Sequence, residues 1–278
     1  MTSEKRVSHN TVREAKVCRD LIRKGFHQHH TAVLAPGFVQ ANLVILPKVY
    51  AADFEGFCRL NPKPCPLLAR TEPGETEIKA LAVGSDIRTD LPQYRVWKSG
   101  EMQRETTNIS DLWRDDFVSF LIGCSFSFDN LLSVAKIPVR HRDMGRNVPM
   151  FRTNIPCTPV GPFRGNMVVS MRPVHPRHAT VVRELSGRLP LCHGDPVHWG
   201  NFKALGINNI QQPDFGEPVE IFDGEEPVFW ACGVTPQVAL ENARLDFAIT
   251  HKPGHMFITD IRDIQLEGVK KIPDFLTI

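Results

Sequence analysis

The stretch PVFWACGVTPQVALENARL, residues 227–245, decides the local architecture, because an apolar run changes to a helical pattern across a single turn. The apolar run ends at Cys232, and Gly233 permits a sharp turn. Thr235 stands where an N-cap is expected, and Pro236 stands at the first helical position, where its missing N–H costs nothing. The stretch therefore predicts a strand–turn–helix unit whose helix N-terminus is free to receive a carboxylate.

Strand-like and helical patterns alternate along the rest of the chain, which is typical of an α/β protein with an at least partly parallel sheet. Strands are predicted at 39–46, 94–97, 166–171, 227–232 and 257–261. Helices are predicted at 10–26, 51–61, 111–122, 127–136, 176–188 and 236–247. Prolines between residues 138 and 176 mark a long connection. We therefore expect a smaller α+β subdomain at 116–190, inserted into a main α/β domain formed by 1–115 with 191–278.

The composition argues against a nucleic-acid or membrane partner. Charged residues make up 23% of the 278 residues, the formal net charge is +2, and Lys and Arg are scattered among the acids. A nucleic-acid binder concentrates positive charge instead. No stretch approaches the roughly 18 continuous apolar residues that span a bilayer. The N-terminal MTSEKRVSHN is polar and lacks an apolar stretch of signal-peptide length, so we expect a cytoplasmic protein.

The seven cysteines are spread through the chain without a CxxC pair. This pattern is typical of reduced, mostly buried thiols rather than of a disulfide framework. Cys232 has two interpretations. The field of the predicted helix N-terminus would lower the pKa of its thiol and make it a thiolate, a secondary candidate for a covalent or acid–base role. The alternative is a buried cysteine at a strand end.

Four histidines lie in two loops late in the chain, His193 and His198 in LCHGDPVHWG, and His251 and His255 in THKPGHMFITD. Gly and Pro separate the members of each pair, which excludes the HExxH zinc arrangement. A loop histidine with a near-neutral pKa suits proton transfer, and a purely structural role is the alternative for each. No recognised ligand spacing occurs, so no metal or other cofactor is predicted. A divalent-metal site built from both loops and Asp260 stays open as an alternative.

Two serines in GCSFSFDNLL (123–132), Ser125 and Ser127, alternate with phenylalanines just before a predicted helix. Their hydroxyls can cap that helix or donate hydrogen bonds to a substrate at its N-terminus. The chain has no GxSxG elbow, so a hydrolase-type serine nucleophile is not predicted.

Three arginines, Arg88, Arg152 and Arg172, stand beside predicted strands or proline-bearing turns. A guanidinium held in this way suits bidentate binding of a carboxylate. The alternative for each is a structural ion pair with an acid such as Asp86 or Asp90.

Nine segments together resemble the D-glutamate cyclase family, whose bacterial members are called hydro-lyases. The segments are APGFVQANLVILP (35–47), DFEGFCRLNPKPCPLL (53–68), DIRTDLPQYRV (86–96), GCSFSFD (123–129), RNVPMFRTN (146–154), VVSMRP (168–173), CHGDPVHWG (192–200), VFWACGVTPQ (228–237) and HKPGHMFITDI (251–261). They follow the order of the family and cover most of the chain between residues 35 and 261. Several are long and unusual in composition, so chance agreement does not explain them.

The resemblance implies an α/β fold of two parts, with a mixed sheet flanked by helices and a smaller α+β subdomain. It also implies a carbon–oxygen lyase that closes D-glutamate to 5-oxo-D-proline with loss of water, and it supports the lyase class more strongly than the substrate. The chain departs from the family pattern in the loop 192–202 and at several single positions, among them Gln93 and Lys252. These positions lie beside the presumed pocket.

The resulting hypothesis divides the candidate residues by role. Substrate binding is assigned to Ser125, Ser127, Arg152, Arg172, Gly233, Thr235, His251 and Asp90. Catalysis is assigned to His193, His198, His255, Asp260 and Cys232, with Asp260 orienting one of the histidines. The expected partner is a small carboxylate, and a homo-oligomeric state stays open. Two alternatives also stay open: a dehydratase or isomerase of another small hydroxy or amino acid, and a non-enzymatic protein that binds a small acid.

Overall fold

The computed structural model describes the backbone of residues 4–270 and the side chains of residues 14–270. The helices are α1 (Glu4–Arg23), α2 (Ala51–Leu60), α3 (Phe126–Val134), α4 (Arg140–Asp143), α5 (Ala179–Gly187) and α6 (Thr235–Ala243). The strands are β1 (Phe38–Pro47), β2 (Leu67–Arg70), β3 (Tyr94–Lys98), β4 (Glu101–Thr106), β5 (Phe117–Gly123), β6 (Met150–Pro156), β7 (Asn166–Val174), β8 (His198–Trp199), β9 (Glu226–Ala231), β10 (Ala248–His251) and β11 (Phe257–Arg262). Single 3-10 turns lie at Lys48–Tyr50, Ser110–Leu112, Pro176–His178, Pro190–Cys192, Phe202–Leu205 and Asp263–Leu266.

The larger sheet has seven strands in the order β2-β5-β1-β10-β3-β4, with β11 also paired to β1. One edge of β1 pairs with β5, and β10 and β11 share its other edge. Every residue of β1 is buried, which explains why its sequence FVQANLVILP reads as a continuous apolar run rather than an alternating one. The two polar residues inside that run are satisfied. Asn42 donates to the Gly123 carbonyl at 2.7 Å, and Gln40 donates to the Thr31 carbonyl at 3.0 Å.

The smaller sheet has four strands in the order β6-β7-β9-β8. Its central strands β7 and β9 pair over six residues, from Val169 with Ala231 to Val174 with Glu226. The strand–turn–helix unit predicted at 227–245 is confirmed, because β9 ends at Ala231 and α6 begins at Thr235. Trp230, at 0% exposure, stands in one core cluster with Phe128 of α3 and with Leu43 of the larger sheet. The two sheets therefore share a core.

The α/β class and the two-part arrangement are confirmed, but the expected parallel pairing is wrong. Every strand pairing among residues 4–270 is antiparallel. The helix predicted at 111–122 is also wrong, since residues 117–123 form β5. Each residue of FVSFLIG is buried, and a short run that is apolar on both faces fits a central strand as well as it fits a buried helix.

The division between the sheets does not coincide with the predicted subdomain limits of 116–190. Strand β5 lies inside those limits and pairs with β1 of the larger sheet. Strand β9 lies outside them and pairs with β7 of the smaller sheet. In the part of the chain that the structure describes, no helix is both long and apolar enough to cross a membrane.

Candidate active site

A polar cleft of about 430 Å³ opens where loops from both sheets meet, a volume typical of a small-molecule site. Five separate segments supply its walls: the loop after α1, the start of β3, the loop before β6, the residues 214–217 and the loop after β10. The lining residues are Gln28, His29, His30, Gln93, Arg95, Asn147, Asp214, Phe215, Gly216, Glu217, Lys252, Pro253 and His255. Of the residues predicted for the site, His255 is the one that lines this cleft.

Two cations on one wall of the cleft are held by a single carboxylate. Glu105 accepts a hydrogen bond from the Arg95 Nε at 3.0 Å through Oε1, and its Oε2 lies 2.6 Å from the Lys252 Nζ. Lys252 also donates to the Gln93 amide oxygen at 2.9 Å. Burial alone would raise the pKa of Glu105, but the two cations outweigh burial and lower it. Fixed cations of this kind suit a substrate carboxylate.

His255 lines the cleft and uses one ring nitrogen for a backbone contact. Its Nδ1 lies 3.1 Å from the Pro253 carbonyl, which can only accept, so Nδ1 carries the proton and Nε2 keeps the lone pair. The side chain is 7% exposed. Burial, aided by the nearby Lys252 ammonium, lowers the pKa of His255 to about 4 against the opposing effect of the Pro253 carbonyl. His255 is therefore a neutral imidazole with a free lone pair at pH 7.

Acceptors also line the cleft. The Asn147 side chain donates to the Pro253 carbonyl at 3.1 Å, while its Oδ1 is buried without a hydrogen-bond partner. Glu217 accepts from the Asn147 N–H at 2.9 Å, and Asp214 accepts from the Arg152 N–H at 2.8 Å. The side chains of Glu217 and Asp214 are exposed, and two accessible carboxylates suit an ammonium group.

Gly254 lets the chain pass close to Asn147. It has φ +84°, and a Cβ at this position would lie 2.3 Å from Asn147 Oδ1. Only glycine adopts this conformation at little cost. The close approach to Asn147 therefore explains why a glycine precedes His255 in HKPGHMF.

A closed ionic network lies in the shared core around Arg172. The guanidinium donates to both oxygens of Asp129, at 2.8 and 2.9 Å, to Ser170 Oγ at 2.7 Å and to Ser125 Oγ at 2.9 Å. Arg172 is 1% exposed and Asp129 is 0% exposed. Burial alone would raise the pKa of Asp129, but the charge of Arg172 and the contact with His141 hold it well below its usual range. The ion-pair alternative therefore describes Arg172, whose partner is Asp129, and Ser125 accepts one of the remaining hydrogen bonds of the guanidinium. Neither residue lines the cleft.

The turn after β9 is buried and differs from its prediction at the N-cap. The N-cap position is Val234, and Thr235 is the first helical residue; its hydroxyl accepts from the Val168 N–H at 3.0 Å and donates to the Cys232 carbonyl at 2.7 Å. Gly233 packs against the Asn42 side chain, so a Cβ there would lie 2.0 Å from its nitrogen. Of the two interpretations of Cys232, the buried cysteine at a strand end agrees with the structure, because burial raises the pKa of its thiol to about 11 in spite of the Val234 N–H.

His193 and His251 are core histidines. Burial lowers the pKa of His193 to about 4 and that of His251 to about 3, so the predicted near-neutral pKa is wrong for both. His193 has φ +77° and contacts the Lys63 carbonyl through Nδ1 at 2.9 Å. His251 is 0% exposed and lies against Leu43 of β1, 3.2 Å from its backbone. Neither lines the cleft.

The remaining predicted residues lie outside the lining of the cleft, and each binds a different neighbour. Ser127 accepts from the Gln40 N–H at 3.2 Å, and Arg152 forms two hydrogen bonds of 2.7 and 2.8 Å to Glu241. Asp90 pairs with Arg23 and Asp260 pairs with Arg19, both at 2.8 Å, so these two acids fasten α1 to the larger sheet. His198 lies on the short strand β8, 2.8 Å from the Asn201 carbonyl. For the arginines, the ion-pair alternative holds also at Arg88, which pairs with Asp86 at 2.7 Å.

The side chains of residues 14–270 form no cluster suited to a metal ion. No group of three or more His, Cys, Asp or Glu side chains there is placed to hold a metal ion. The alternative site built from the two histidine loops and Asp260 is therefore absent from the described part of the chain, where Asp260 is engaged by Arg19.

A second cavity, of about 870 Å³, lies between α2, β2 and Leu191. It is lined mainly by leucines, prolines and the buried Cys58 and Cys65. Its arginines, Arg59 and Arg70, both bind Glu55. It contains no histidine, so the smaller polar cleft has the better chemistry for proton transfer.

Sequence reasoning missed Arg95, Asn147, Lys252 and Glu105 as partners in one site. Lys252 and Gln93 depart from the family pattern beside the presumed pocket, and both line this cleft and contact each other. Arg95 gave a weaker signal, a charged residue between apolar neighbours in YRVW.

Comparison with known proteins gives consistent matches over most of the chain. The profile of the family described as D-glutamate cyclase matches residues 118–260. A Bacillus licheniformis protein named "Putative hydro-lyase" is 56% identical over 247 residues, which covers 89% of this chain and 94% of the relative. A relative of the same name from Rhodopseudomonas palustris is 53% identical over 236 residues, covering 85% and 87% of the two chains. Among solved structures, a nitrogen repressor-like protein from Methanococcus jannaschii matches 87% of this chain and 97% of its own, at 10% identity and a TM-score of 0.37, too low to carry an argument.

Proposed function

The chain belongs to the D-glutamate cyclase family, and from this premise we propose that it is a hydro-lyase that converts a small amino or carboxylic acid in the polar cleft, with closure of D-glutamate to 5-oxo-D-proline as the leading reaction. The observation that carries the proposal is the convergence of His255, Arg95 and Lys252 on one cavity of about 430 Å³. A base, two cations and a wall of acceptors are the groups that an amino acid with a second carboxylate requires.

The reaction moves two protons and exchanges one bond for another. The substrate ammonium loses a proton, and its nitrogen attacks the carbon of the distal carboxyl group. The C–N bond forms while one C–O bond breaks, and the nitrogen gives up a second proton as it becomes the amide. The leaving oxygen receives two protons overall and departs as water. A carboxylate is a poor electrophile, so the site must neutralise its charge and protonate the leaving oxygen.

His255 is the group we assign to the proton transfers. Its Nε2 lone pair is available at pH 7 because Nδ1 is committed to Pro253. An imidazole with a pKa of about 4 is a weak base. A substrate carboxylate entering beside it would raise that pKa, because a nearby negative charge favours the protonated ring. The substrate therefore makes its own base stronger, and the protonated ring can then act as the acid.

Arg95 and Lys252 would hold the substrate carboxylate and the oxyanion that develops on it. The ammonium would lie against the exposed carboxylates of Asp214 and Glu217, which line the same cleft. Ring closure requires the amine and the distal carboxyl group to be held close together, and such positioning supplies a large part of the barrier reduction in ring closures.

The test is proton NMR of the purified protein with D-glutamate, L-glutamate and 5-oxo-D-proline, with and without a divalent metal. Conversion of the D-acids alone supports the cyclase reaction. In the variant His255→Gln the amide can still donate to Pro253 but has no basic nitrogen, so turnover should fall by at least about 100-fold. His178→Gln is the matched control, because His178 lies near the surface beside Arg177, outside the cleft.

Two results would count against the proposal. Turnover that survives in His255→Gln would remove the acid–base assignment. An absence of conversion by the wild type, with metal or without, would transfer the function to another small acid or to binding alone.

A further inference from the structure

Glu105 stands outside the lining of the cleft and yet fixes the two cations that line it. It lies on the edge strand β4, directly opposite Arg95 of β3 in the strand register. Residues directly opposite in an antiparallel pair lie within side-chain reach, so the strand pairing places the carboxylate beside the guanidinium. Its second oxygen reaches Lys252 on the loop after β10. One carboxylate thus sets the spacing of two cations from different segments.

The charges at this end of the cleft can be counted. Arg95 and Lys252 carry one positive charge each, and Glu105 removes one of the two. The neighbouring Gln93 is neutral and accepts from Lys252. The two carboxylates that line the cleft, Asp214 and Glu217, form no ion pair with either cation in the described structure. The cationic end therefore offers one positive charge that no ion pair compensates, which matches a single carboxylate group.

We propose that Glu105 determines which acids the cleft accepts, by limiting its cationic end to one uncompensated positive charge so that a single carboxylate binds there. The inference rests on the proposed function, because it concerns the substrate of the same cleft. In this arrangement no second cation is left to bind the other carboxylate of a dicarboxylic substrate. That carboxylate must therefore bind in its protonated, neutral form.

The ion pairs of Glu105 are partly screened by solvent, since its side chain is 29% exposed and its two partners are 19% and 30% exposed. A measurement of substrate preference separates a role in the cleft from a contribution to stability. The carboxylate also acts on His255. The charged or titratable groups that influence this ring are Lys252, His30 and Glu105, and of these Glu105 alone favours the protonated form. Loss of its charge should therefore lower the pKa of His255, which provides a second measurement.

The test compares the affinities of glutarate, a dicarboxylate, and butyrate, a monocarboxylate, by calorimetry at pH 7.5. In Glu105→Gln the ratio of glutarate to butyrate affinity should rise about fivefold, the upper size of a partly screened charge effect, and should fall back at high salt. Glu105→Asp keeps the charge and should keep the wild-type ratio. Glu101→Gln removes a carboxylate from the same strand, where the structure records no ion pair for it, and should also keep the ratio.

The outcomes separate this inference from the proposed function. If the wild type binds both acids and Glu105→Gln leaves their ratio unchanged, the role of Glu105 is refuted and the cleft remains the site. If the wild type binds neither acid, both proposals fail. Should Glu105→Gln not fold, Lys252→Met tests the same charge count by removing a positive charge instead of a negative one. It removes a cation and should lower the ratio, and an unchanged ratio there would overturn the inference.

Discussion

Replacing Asp129 by Asn should destabilise the protein strongly while leaving the shape of the side chain intact. The carboxylate receives two hydrogen bonds from Arg172, at 2.8 and 2.9 Å, and both side chains are almost fully buried. The variant Asp129→Asn leaves the guanidinium buried with a neutral partner, whose NH₂ group faces other donors. Removing one member of a buried ion pair costs about 3–5 kcal/mol of unfolding free energy.

The control is a pair of the same chemistry at the surface. Asp116 and Arg114 also form a close ion pair, but their side chains are 39% and 49% exposed. After screening by solvent, Asp116→Asn should cost about 0–1 kcal/mol. The two variants therefore differ in burial and not in the type of substitution.

Urea denaturation of the wild type and both variants, followed by tryptophan fluorescence and circular dichroism, measures the difference. The sign of the pH dependence is a second check. The folded pKa of Asp129 lies below its unfolded value near 3.9, so its contribution is present above that value and disappears only as the pH falls through the folded pKa. A cost for Asp129→Asn no larger than that for Asp116→Asn would refute the argument that burial makes this ion pair important.

Two further predictions concern the buried histidines and Cys232. The folded pKa values of His193, His251 and His255 lie near 4, 3 and 4, below the unfolded value of about 6.5; the unfolded chain therefore binds more protons between these limits, and the unfolding free energy should drop by at least about 2 kcal/mol from pH 6.5 to pH 4. Urea midpoints across this range measure the drop, and a flat profile would contradict the burial of these rings. The thiol of Cys232 has a pKa of about 11, so iodoacetamide at pH 7.5 should label the half-buried Cys18 before it labels Cys232 in the folded protein. Peptide mass spectrometry follows both sites, and rapid labelling of Cys232 without urea would restore its candidacy as a nucleophile.

Five strands lie where the sequence patterns predict them, namely β1, β3, β7, β9 and β11. Strands β1, β7 and β9 each bury a continuous stretch, and their positions follow from the sequence. The direction of pairing does not follow from such runs. Strands that are buried on both faces suggest a parallel sheet, but here helices and a second sheet cover an antiparallel one, which produces the same pattern. For a similar reason the sequence predicts a helix at 111–122, where residues 117–123 form β5.

The site was harder to predict than the fold, because its residues come from distant segments. Arg95, Asn147 and Lys252 are far apart in the sequence and come together only in the folded chain. No sequence motif links them. Polar motif residues such as Arg172 and Ser125 were singled out correctly as unusual. The sequence does not reveal that they satisfy one another in the core. The alternative of a structural ion pair, kept open for each arginine, described this outcome.

The most direct test of the central claim is a crystal structure of the protein with 5-oxo-D-proline or D-glutamate bound. We predict the ligand in the polar cleft, with a carboxylate within hydrogen-bond distance of Arg95 or Lys252 and its nitrogen within reach of His255 Nε2. A ligand found instead in the cavity between α2 and β2, with the polar cleft left without it, would contradict the assignment of the active site.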